Sequence, residues 1–163
     1  MIQYTIRPIK ASEIDLLQDF LYEAIFQKDG EALLPKSIIH QPEIKIYIED
    51  FGRPHDLCLV AELDQKVAGA VWTRVFSNKA KSYAYIDERT PELAISLYKE
   101  YRGQGIGTAL MKKMLELLRE KGYKQVSLSV QKDNYAFKMY KNLGFEIIKD
   151  LEKECIMIYH LME

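Results

Sequence analysis

Between residues 92 and 122 the apolar residues change their spacing, and this change limits the available folds more than any other feature of the chain. Apolar and other residues alternate from 92 to 98, which predicts a β-strand. Glycines crowd residues 103–107, and from Ile106 onwards the apolar residues recur at the spacing of a helix face. Gly122 then supplies a typical helix stop. The segment therefore predicts a strand, a glycine-rich turn and a helix in direct succession.

The other periodic segments place this succession within a mixed sheet. Strand patterns occupy residues 2–7, 57–63, 67–76, 126–131, 145–148 and 155–161, and helical patterns occupy residues 14–25, 44–51 and 134–142. The two strands within 57–76 are joined by Asp64, Gln65 and Lys66, which predicts a hairpin. This order favours one α/β domain over residues 1–163 with a partly antiparallel sheet, rather than a regular βαβ array.

Composition and charge narrow the classes of function. The 163 residues carry 23 Lys and Arg against 24 Asp and Glu, without the basic excess that is usual in binders of bulk nucleic acid or anionic membranes. No apolar run reaches the ~20 residues of a membrane span, and the N-terminus does not resemble a signal peptide. Cys58 and Cys155 lie in apolar runs, which favours buried free thiols over a disulfide. We therefore expect a cytoplasmic protein that has neither nucleic acid nor membrane as a partner.

The glycine-rich turn has the features of a phosphate cradle. Glycine permits positive φ and close approach of a ligand to the backbone, and the first N–H groups of the following helix lack partners within it. A P-loop would need Gly-Lys-Ser/Thr where this chain has Gly107-Thr108-Ala109, and a Rossmann turn needs an acidic residue about 20 positions on, where residues 127–131 contain none. Taken by itself, the turn fits an ordinary bend or a pyrophosphate site of another kind. Its residues are Arg102, Gly103, Gln104, Gly105, Ile106 and Gly107.

The sequence of the turn and of the segments around it resembles the motifs of a known protein family. Residues 102–107 match the Arg/Gln-x-x-Gly-x-Gly/Ala motif of the GNAT acetyltransferases, and residues 92–101 resemble that family's fourth strand and the turn after it. The family's second cofactor motif is similar to Asn134-Tyr135-Ala136, Met139-Tyr140 and Leu143-Gly144-Phe145. The resemblance covers residues 57–149 well, whereas residues 1–56 match in pattern only.

The resemblance implies a fold and a cosubstrate. The fold is a mixed, mostly antiparallel central sheet of six or seven strands with helices on both faces, and acetyl-CoA lies where the fourth and fifth strands splay apart. The implied cofactor-binding residues are Leu97 and Tyr98, whose main chain pairs with the pantetheine arm, residues 102–107 for the pyrophosphate, and Asn134. Arg102 would add charge near a phosphate. No metal is expected, because the three histidines share no ligand spacing with either cysteine.

The same resemblance implies the catalytic roles. Tyr140 would face the cofactor sulfur and protonate the leaving thiolate, since a phenol with a pKa of about 10 keeps its proton at pH 7. Its alternative role is that of a core tyrosine. The main-chain N–H of Leu97 is the implied oxyanion donor. Glu92 is either the general base or a solvated carboxylate at the strand end, and Asp87 or Glu88 is the alternative base.

The implied function is transfer of the acetyl group of acetyl-CoA to a primary amine by direct attack in a ternary complex. The acceptor is a small molecule or a peptide, and the sequence does not identify it. One alternative is a non-catalytic acyl-CoA-binding or sensor module, and another is transfer of a longer acyl group. A homodimer through the terminal strands is compatible with the apolar segment 156–162.

Overall fold

The computed structural model describes residues 3–162. Its strands are β1 (Thr5–Pro8), β2 (Leu57–Leu63), β3 (Lys66–Arg74), β4 (Glu92–Leu97), β5 (Gln125–Gln131), β6 (Glu146–Asp150) and β7 (Glu154–His160). Its α-helices are α1 (Leu16–Ala24), α2 (Pro42–Lys45), α3 (Ile106–Glu120) and α4 (Ala136–Leu143). The α/β class and the order of the elements are confirmed. Of the first predicted strand, Ile2 lies outside the described residues.

The strands form a seven-stranded sheet in the order β1-β2-β3-β4-β5-β7-β6. Antiparallel pairs are formed by β1 with β2, β5 with β7, and β6 with β7. β4 pairs with β5 in parallel, with Glu92 opposite Ser127. The resemblance implied a mostly antiparallel sheet of six or seven strands. This is confirmed, and the number of strands is seven.

The connection between β2 and β3 is the hairpin that the sequence predicts. Only Asp64 and Gln65 separate the strands, because Lys66 already belongs to β3. Both turn residues have positive φ, 47° for Asp64 and 67° for Gln65. Two successive positive φ values are the mark of a type I′ turn, whose twist matches that of the flanking strands.

Contacts divide the described chain into two compact units, and the assignment of a single domain stays a prediction. The first unit comprises residues 3–72 and 94–114. Its core joins one face of α1 to the inner face of β2 and β3, and it excludes water from the largest side chain, Trp72, whose indole N–H donates to the carbonyl of Tyr47 at 3.2 Å. The buried residues of this core are Leu17, Phe20, Leu21, Ile39, Cys58, Val60, Ala70 and Trp72.

The helix predicted at residues 44–51 lies instead at Pro42–Lys45, so it begins earlier and ends sooner than expected. α2 has four residues, and the chain continues in tighter turns in which Tyr47 N–H donates to Ile44 and Ile48 N–H donates to Lys45. These i→i+3 bonds are typical of a 3₁₀ geometry, which is seldom sustained. The apolar residues that suggested the helix nevertheless pack against the core of the first unit.

The second unit comprises residues 73–93 and 115–162. Its buried residues come mainly from β5, β7 and the last turns of α3. α4 ends at Gly144, whose φ of 112° is a left-handed conformation that favours glycine. Cys155 of this unit, like Cys58 of the first, is a buried free thiol, as the sequence predicted, and burial raises the pKa of both.

An arginine on β1 holds two carboxylates of the first unit. The Nη1 and Nη2 atoms of Arg7 donate to the two oxygens of Glu13, both at 2.8 Å, and Nε and Nη2 donate to Glu62 Oε1 at 3.1 and 2.6 Å. The hydrogen bonds from Arg7 lower the pKa of Glu13 to about 2. A bidentate pair of this kind is stronger than a single surface ion pair.

This pair predicts a pH dependence of stability. A carboxyl whose pKa falls on folding stabilises the protein above its ordinary pKa, and this contribution is lost as the pH falls through the lowered pKa. We expect Glu13→Gln to lower the Tm at pH 7 by about 2–4 °C, and the difference from the wild type to shrink as the pH falls from about 4.5 to 2. Thermal unfolding across this range measures it. Glu31→Gln, at an exposed carboxylate, is the control, and a difference that persisted unchanged at pH 2 would contradict the assignment.

Candidate active site

The end of β4 has a defined main-chain orientation in the first unit. The N–H of Tyr98 donates to the carbonyl of Ala68 on β3 at 3.0 Å. In a trans peptide the C=O and N–H point in opposite directions, so the carbonyl of Leu97 points away from β3. The N–H of a strand residue points to the same edge as its own carbonyl, so the N–H of Leu97 also points away from β3.

The turn after β4 leads directly into α3, the longest helix among residues 3–162. The N–H of Arg102 donates to the carbonyl of Lys99 at 3.2 Å, within a short 3₁₀ turn at Lys99–Tyr101. Gly103 and Gly105 have φ values of 75° and 85°, which explains why glycine occupies both positions. The first helical bond runs from Ala109 N–H to the carbonyl of Gly105, so the preceding N–H groups stand at the positive end of the 15-residue α3.

The side chain of Arg102 is directed at protein groups. Its Nε donates to the carbonyl of Leu97 at 3.1 Å, and its Nη2 donates to Glu23 Oε2 at 3.0 Å. The sequence motif identified Arg102 and implied a phosphate near it, but it indicated no partner within the protein. Glu23 lies 79 positions earlier, at the end of α1, where no motif pointed to it.

Two further hydrogen bonds connect α1 with the end of β4 and the residue after it. Ser96 Oγ donates to the carbonyl of Phe20 at 2.6 Å, and the hydroxyl of Tyr98 donates to Asp19 Oδ2 at 2.9 Å. The rings of Phe20 and Tyr98 pack with their centroids 4.9 Å apart. Burial and the hydrogen bond to Asp19 raise the pKa of Tyr98 to about 12. The sequence gave no signal for these contacts, which join residues 76 and 79 positions apart.

Gly69 on β3 permits a close approach of β4. A Cβ at this position would lie 2.7 Å from the carbonyl oxygen of Ser96 and 2.8 Å from Leu97 Cγ. Both distances are shorter than carbon contacts normally allow, and one neighbour is backbone. Gly69 is therefore a residue of the candidate site that the sequence analysis missed.

We expect Gly69→Ala to destabilise the protein by roughly 1–3 kcal/mol, because the added methyl group must displace Leu97 or strain β3. Urea unfolding gives this free energy. Lys66→Ala, at an exposed residue of the same strand, is the control and should change stability by less than about 0.5 kcal/mol. Equal stability of Gly69→Ala and the wild type would show that β4 moves away without cost.

Glu92, at the start of β4, belongs to the second unit and is buried, with 4% of its surface exposed. One of its oxygens accepts hydrogen bonds from the hydroxyl of Ser82 and, at 3.0 Å, from the N–H of Ala84. The alternative of a solvated strand-end carboxylate is therefore wrong. These bonds hold the segment before β4, and a buried polar group requires such partners.

The alternative bases Asp87 and Glu88 are exposed. With Asn78, Tyr85 and Arg89 they line an open cavity of about 480 Å³. Asp87 Oδ1 accepts the N–H of Arg89 at 2.8 Å, and Lys81 Nζ lies 5.7 Å from the centroid of the Tyr85 ring. The segment before β4 thus carries charges of both signs around this cavity.

Tyr140 on α4 is buried, with 7% of its surface exposed, and burial raises its pKa above the ordinary value of a phenol. Its ring packs against Phe145 at 5.8 Å between centroids. Asn134 precedes α4, and its Oδ1 accepts the N–H of Ala136 at 2.9 Å. Asn134 therefore helps to start the helix that carries Tyr140.

Residues 3–162 contain neither a metal-binding cluster of side chains nor a membrane-spanning helix. No group of three or more His, Cys, Asp or Glu side chains in this range is arranged to hold a metal ion. Within the same range, no helix combines the length and the apolar character needed to cross a bilayer.

Sequence comparison relates the chain to acetyltransferases. The family model described as acetyltransferase (GNAT) family matches residues 20–145. An N-alpha-acetyltransferase of Sulfurisphaera tokodaii is 34% identical over 110 residues, which are 64% of this chain and 65% of the relative. An uncharacterized N-acetyltransferase of Archaeoglobus fulgidus is 27% identical over 133 residues, 78% of this chain and 84% of the relative. The chain thus spans just under two thirds of the first relative, and 37% of a probable N-acetyltransferase of Xenopus laevis that is 33% identical.

Solved structures share the fold at low identity. The PaiA N-acetyltransferase from Thermoplasma acidophilum, in complex with coenzyme A, has a TM-score of 0.72 and 18% identity, covering 98% of this chain and 99% of that one. An N-acetyltransferase from Staphylococcus aureus has a TM-score of 0.71, 18% identity and the same coverage. At these identities the likeness concerns the fold.

Proposed function

The chain belongs to the GNAT family of acetyltransferases, and on this premise we propose that it transfers the acetyl group of acetyl-CoA to a primary amine. Membership in this family and the N-acetyltransferase relatives support acyl transfer. The nature of the amine, the direct attack within a ternary complex and the residue roles are parts of the proposal. Acetyl-CoA is a cosubstrate, and no metal takes part in the proposed reaction.

The orientation of Leu97 carries the proposal. Its N–H and C=O both point away from β3, because Tyr98 N–H is bonded to Ala68. An extended pantetheine arm can pair with such an edge as an added strand does. The carbonyl of Tyr98 already accepts the N–H of Tyr101 but keeps a second lone pair for a ligand.

The glycine-rich turn is the proposed pyrophosphate site. Positive φ at Gly103 and Gly105 exposes the backbone, and no described heavy atom beyond their chain neighbours lies within 4 Å of a Cβ built at either glycine. The N–H groups of Gln104, Ile106 and Gly107 stand near the positive end of α3, where an anion is stabilised. Asn134, the remaining proposed cofactor residue, lies just before α4 and would help to hold the cofactor from there.

The proposed chemistry is one nucleophilic substitution. The amine nitrogen attacks the thioester carbon, the oxygen gains negative charge that the N–H of Leu97 stabilises, and the C–S bond then breaks. Tyr140 gives its proton to the departing thiolate, and Glu92 takes the proton lost by the amine, directly or through water. Burial raises the pKa of Tyr140, so the phenol carries the proton that this role requires at pH 7.

One observation favours a second candidate function, an acyl-CoA-binding module without catalysis. An oxygen of Glu92 already accepts hydrogen bonds from Ser82 and Ala84. These two donors occupy that oxygen and limit its access to the proton of an amine. A module that only binds CoA would need the turn and the edge of β4 but no base.

Calorimetric titration with acetyl-CoA, followed by a thiol-release screen over an amine library, separates the two functions. Binding together with release of CoA thiol on an added amine supports the transferase. Binding without release on any amine of the library, repeated at pH 9 where more amine is neutral, supports the module. Absence of binding would refute both.

The partners and compartment of the protein also stay proposals. Residues 20–55 are proposed to shape the acceptor pocket. The buried free thiols of Cys58 and Cys155 fit a reducing compartment, which supports the expected cytoplasmic location. β6 forms one edge of the sheet and exposes Ile147 and Ile148, which fits the expected homodimer through the terminal strands.

A further inference from the structure

Three side-chain hydrogen bonds join the last turns of α1 to the end of β4 and the turn after it. They run from Tyr98 to Asp19, from Ser96 to the carbonyl of Phe20, and from Arg102 to Glu23. Asp19 and Glu23 are four positions apart and so share one face of α1. The proposed cofactor edge is therefore fastened to α1 at three successive points.

The link between Arg102 and Glu23 differs from the other two. A carboxylate in the last turn of a helix faces the negative end of the helix dipole, which disfavours it unless a cation compensates. Arg102 supplies that cation and at the same time donates Nε to the carbonyl of Leu97. Both side chains are about two-thirds buried, at 31% and 30% exposure, so the pair is partly shielded from solvent.

We propose that Arg102 is a positioning residue and not a phosphate ligand: paired with Glu23, it fixes the main chain of Leu97 against α1. This inference rests on the proposed function, since Leu97 is the proposed oxyanion donor. The guanidinium group is planar and carries several N–H donors in fixed directions, so it can donate to the Glu23 carboxylate and to the Leu97 carbonyl at the same time. The pyrophosphate would then be bound at the turn by main-chain N–H groups and the dipole of α3, without the side chain of Arg102.

The two roles of Arg102 predict opposite effects of Glu23→Gln. If Arg102 bound a phosphate, removing the competing carboxylate would release it and tighten acetyl-CoA binding. If Arg102 positions Leu97, Glu23→Gln loosens the pair and weakens binding, by about 3–10-fold for a partly buried ion pair. Arg102→Gln should weaken binding equally, and the double variant should be no worse than either single one, because both remove the same interaction.

Two further readouts separate positioning from general support of the fold. Arg102→Lys keeps the charge but loses the planar guanidinium group, so it should behave like Arg102→Gln; a phosphate ligand would be rescued by lysine. The labelled carbonyl carbon of bound acetyl-CoA should shift toward its value in water in Glu23→Gln and in Arg102→Gln, because the hydrogen bond from Leu97 N–H is weakened. NMR of the intact variants measures this shift.

The experiment is calorimetric titration of the full chain and these variants with acetyl-CoA, with thermal unfolding of each as a check on folding. Glu120→Gln, at an exposed carboxylate in the last turn of α3, is the matched control and should bind like the wild type. Tighter binding by Glu23→Gln, additive losses in the double variant, or rescue by lysine would each overturn the inference. Failure of the wild type to bind acetyl-CoA would refute the proposed function instead. The interaction between Arg102 and Glu23 would then still be tested by thermal unfolding: the Tm losses of Glu23→Gln, Arg102→Gln and the double variant, each relative to the wild type, should be non-additive.

Discussion

Gly105→Trp is expected to abolish binding of acetyl-CoA, with a loss of affinity on the order of 100-fold or more. Gly105 lies directly before α3 at a φ of 85°, where the backbone is open to a ligand. An indole at this position would fill the space in which the pyrophosphate meets the N–H groups of the turn. Calorimetric titration with acetyl-CoA measures the loss.

The substitution also strains the backbone, because a bulky residue in a left-handed conformation costs about 1–2 kcal/mol. Gly122→Trp is a matched control for this strain: its φ is 90°, and again no described atom beyond its neighbours lies within 4 Å of the added Cβ. We expect both variants to lose similar stability and only Gly105→Trp to lose affinity. Equal affinity in the two variants would show that the pyrophosphate lies elsewhere.

Tyr140→Phe is expected to lower kcat by about 100-fold or more while leaving the Kd for acetyl-CoA unchanged. The phenol is the proposed donor of a proton to the leaving thiolate, and phenylalanine preserves the ring packing on Phe145 but has no proton to give. Steady-state kinetics with an amine from the screen, together with calorimetry, separate the two quantities.

Tyr159→Phe is the control for this substitution, because Tyr159 packs against the same Phe145 at 5.3 Å and has no proposed part in proton transfer. The pH profile adds a second test. Burial raises the pKa of Tyr140, so the phenol stays protonated and kcat should not fall through its ionisation between pH 7 and 10. An unchanged kcat in Tyr140→Phe would remove this residue from the mechanism.

Much of the local structure could be predicted from the sequence because its causes are local. β2 has the predicted bounds of Leu57–Leu63, since a short apolar run bounded by turn residues specifies a buried strand. The glycines at 103 and 105 signalled a turn with positive φ, which both adopt. α3 begins at Ile106, where the helical spacing begins. The helix at 44–51 was overestimated because its apolar spacing continues through turns of a different geometry.

The environment of each functional side chain could not be predicted in this way. From the sequence pattern, Glu92 could be either a general base or a solvated carboxylate. It is buried only because the segment that contains Ser82 and Ala84 folds over it. Alternation places a side chain on one face of a strand but does not say what covers that face. The same holds for Gly69, whose role depends on the approach of β4 at Ser96.

The sequence by itself determined the α/β class, the hairpin, and a strand that enters a glycine-rich turn and a helix, because neighbouring residues set φ, hydrophobic period and helix termini. Only the tertiary structure decided that β7 lies between β5 and β6, and that Glu23 receives Arg102. Such pairings join residues far apart in the chain, and their partners are selected by packing of whole elements. A pattern of a few residues carries no information about them.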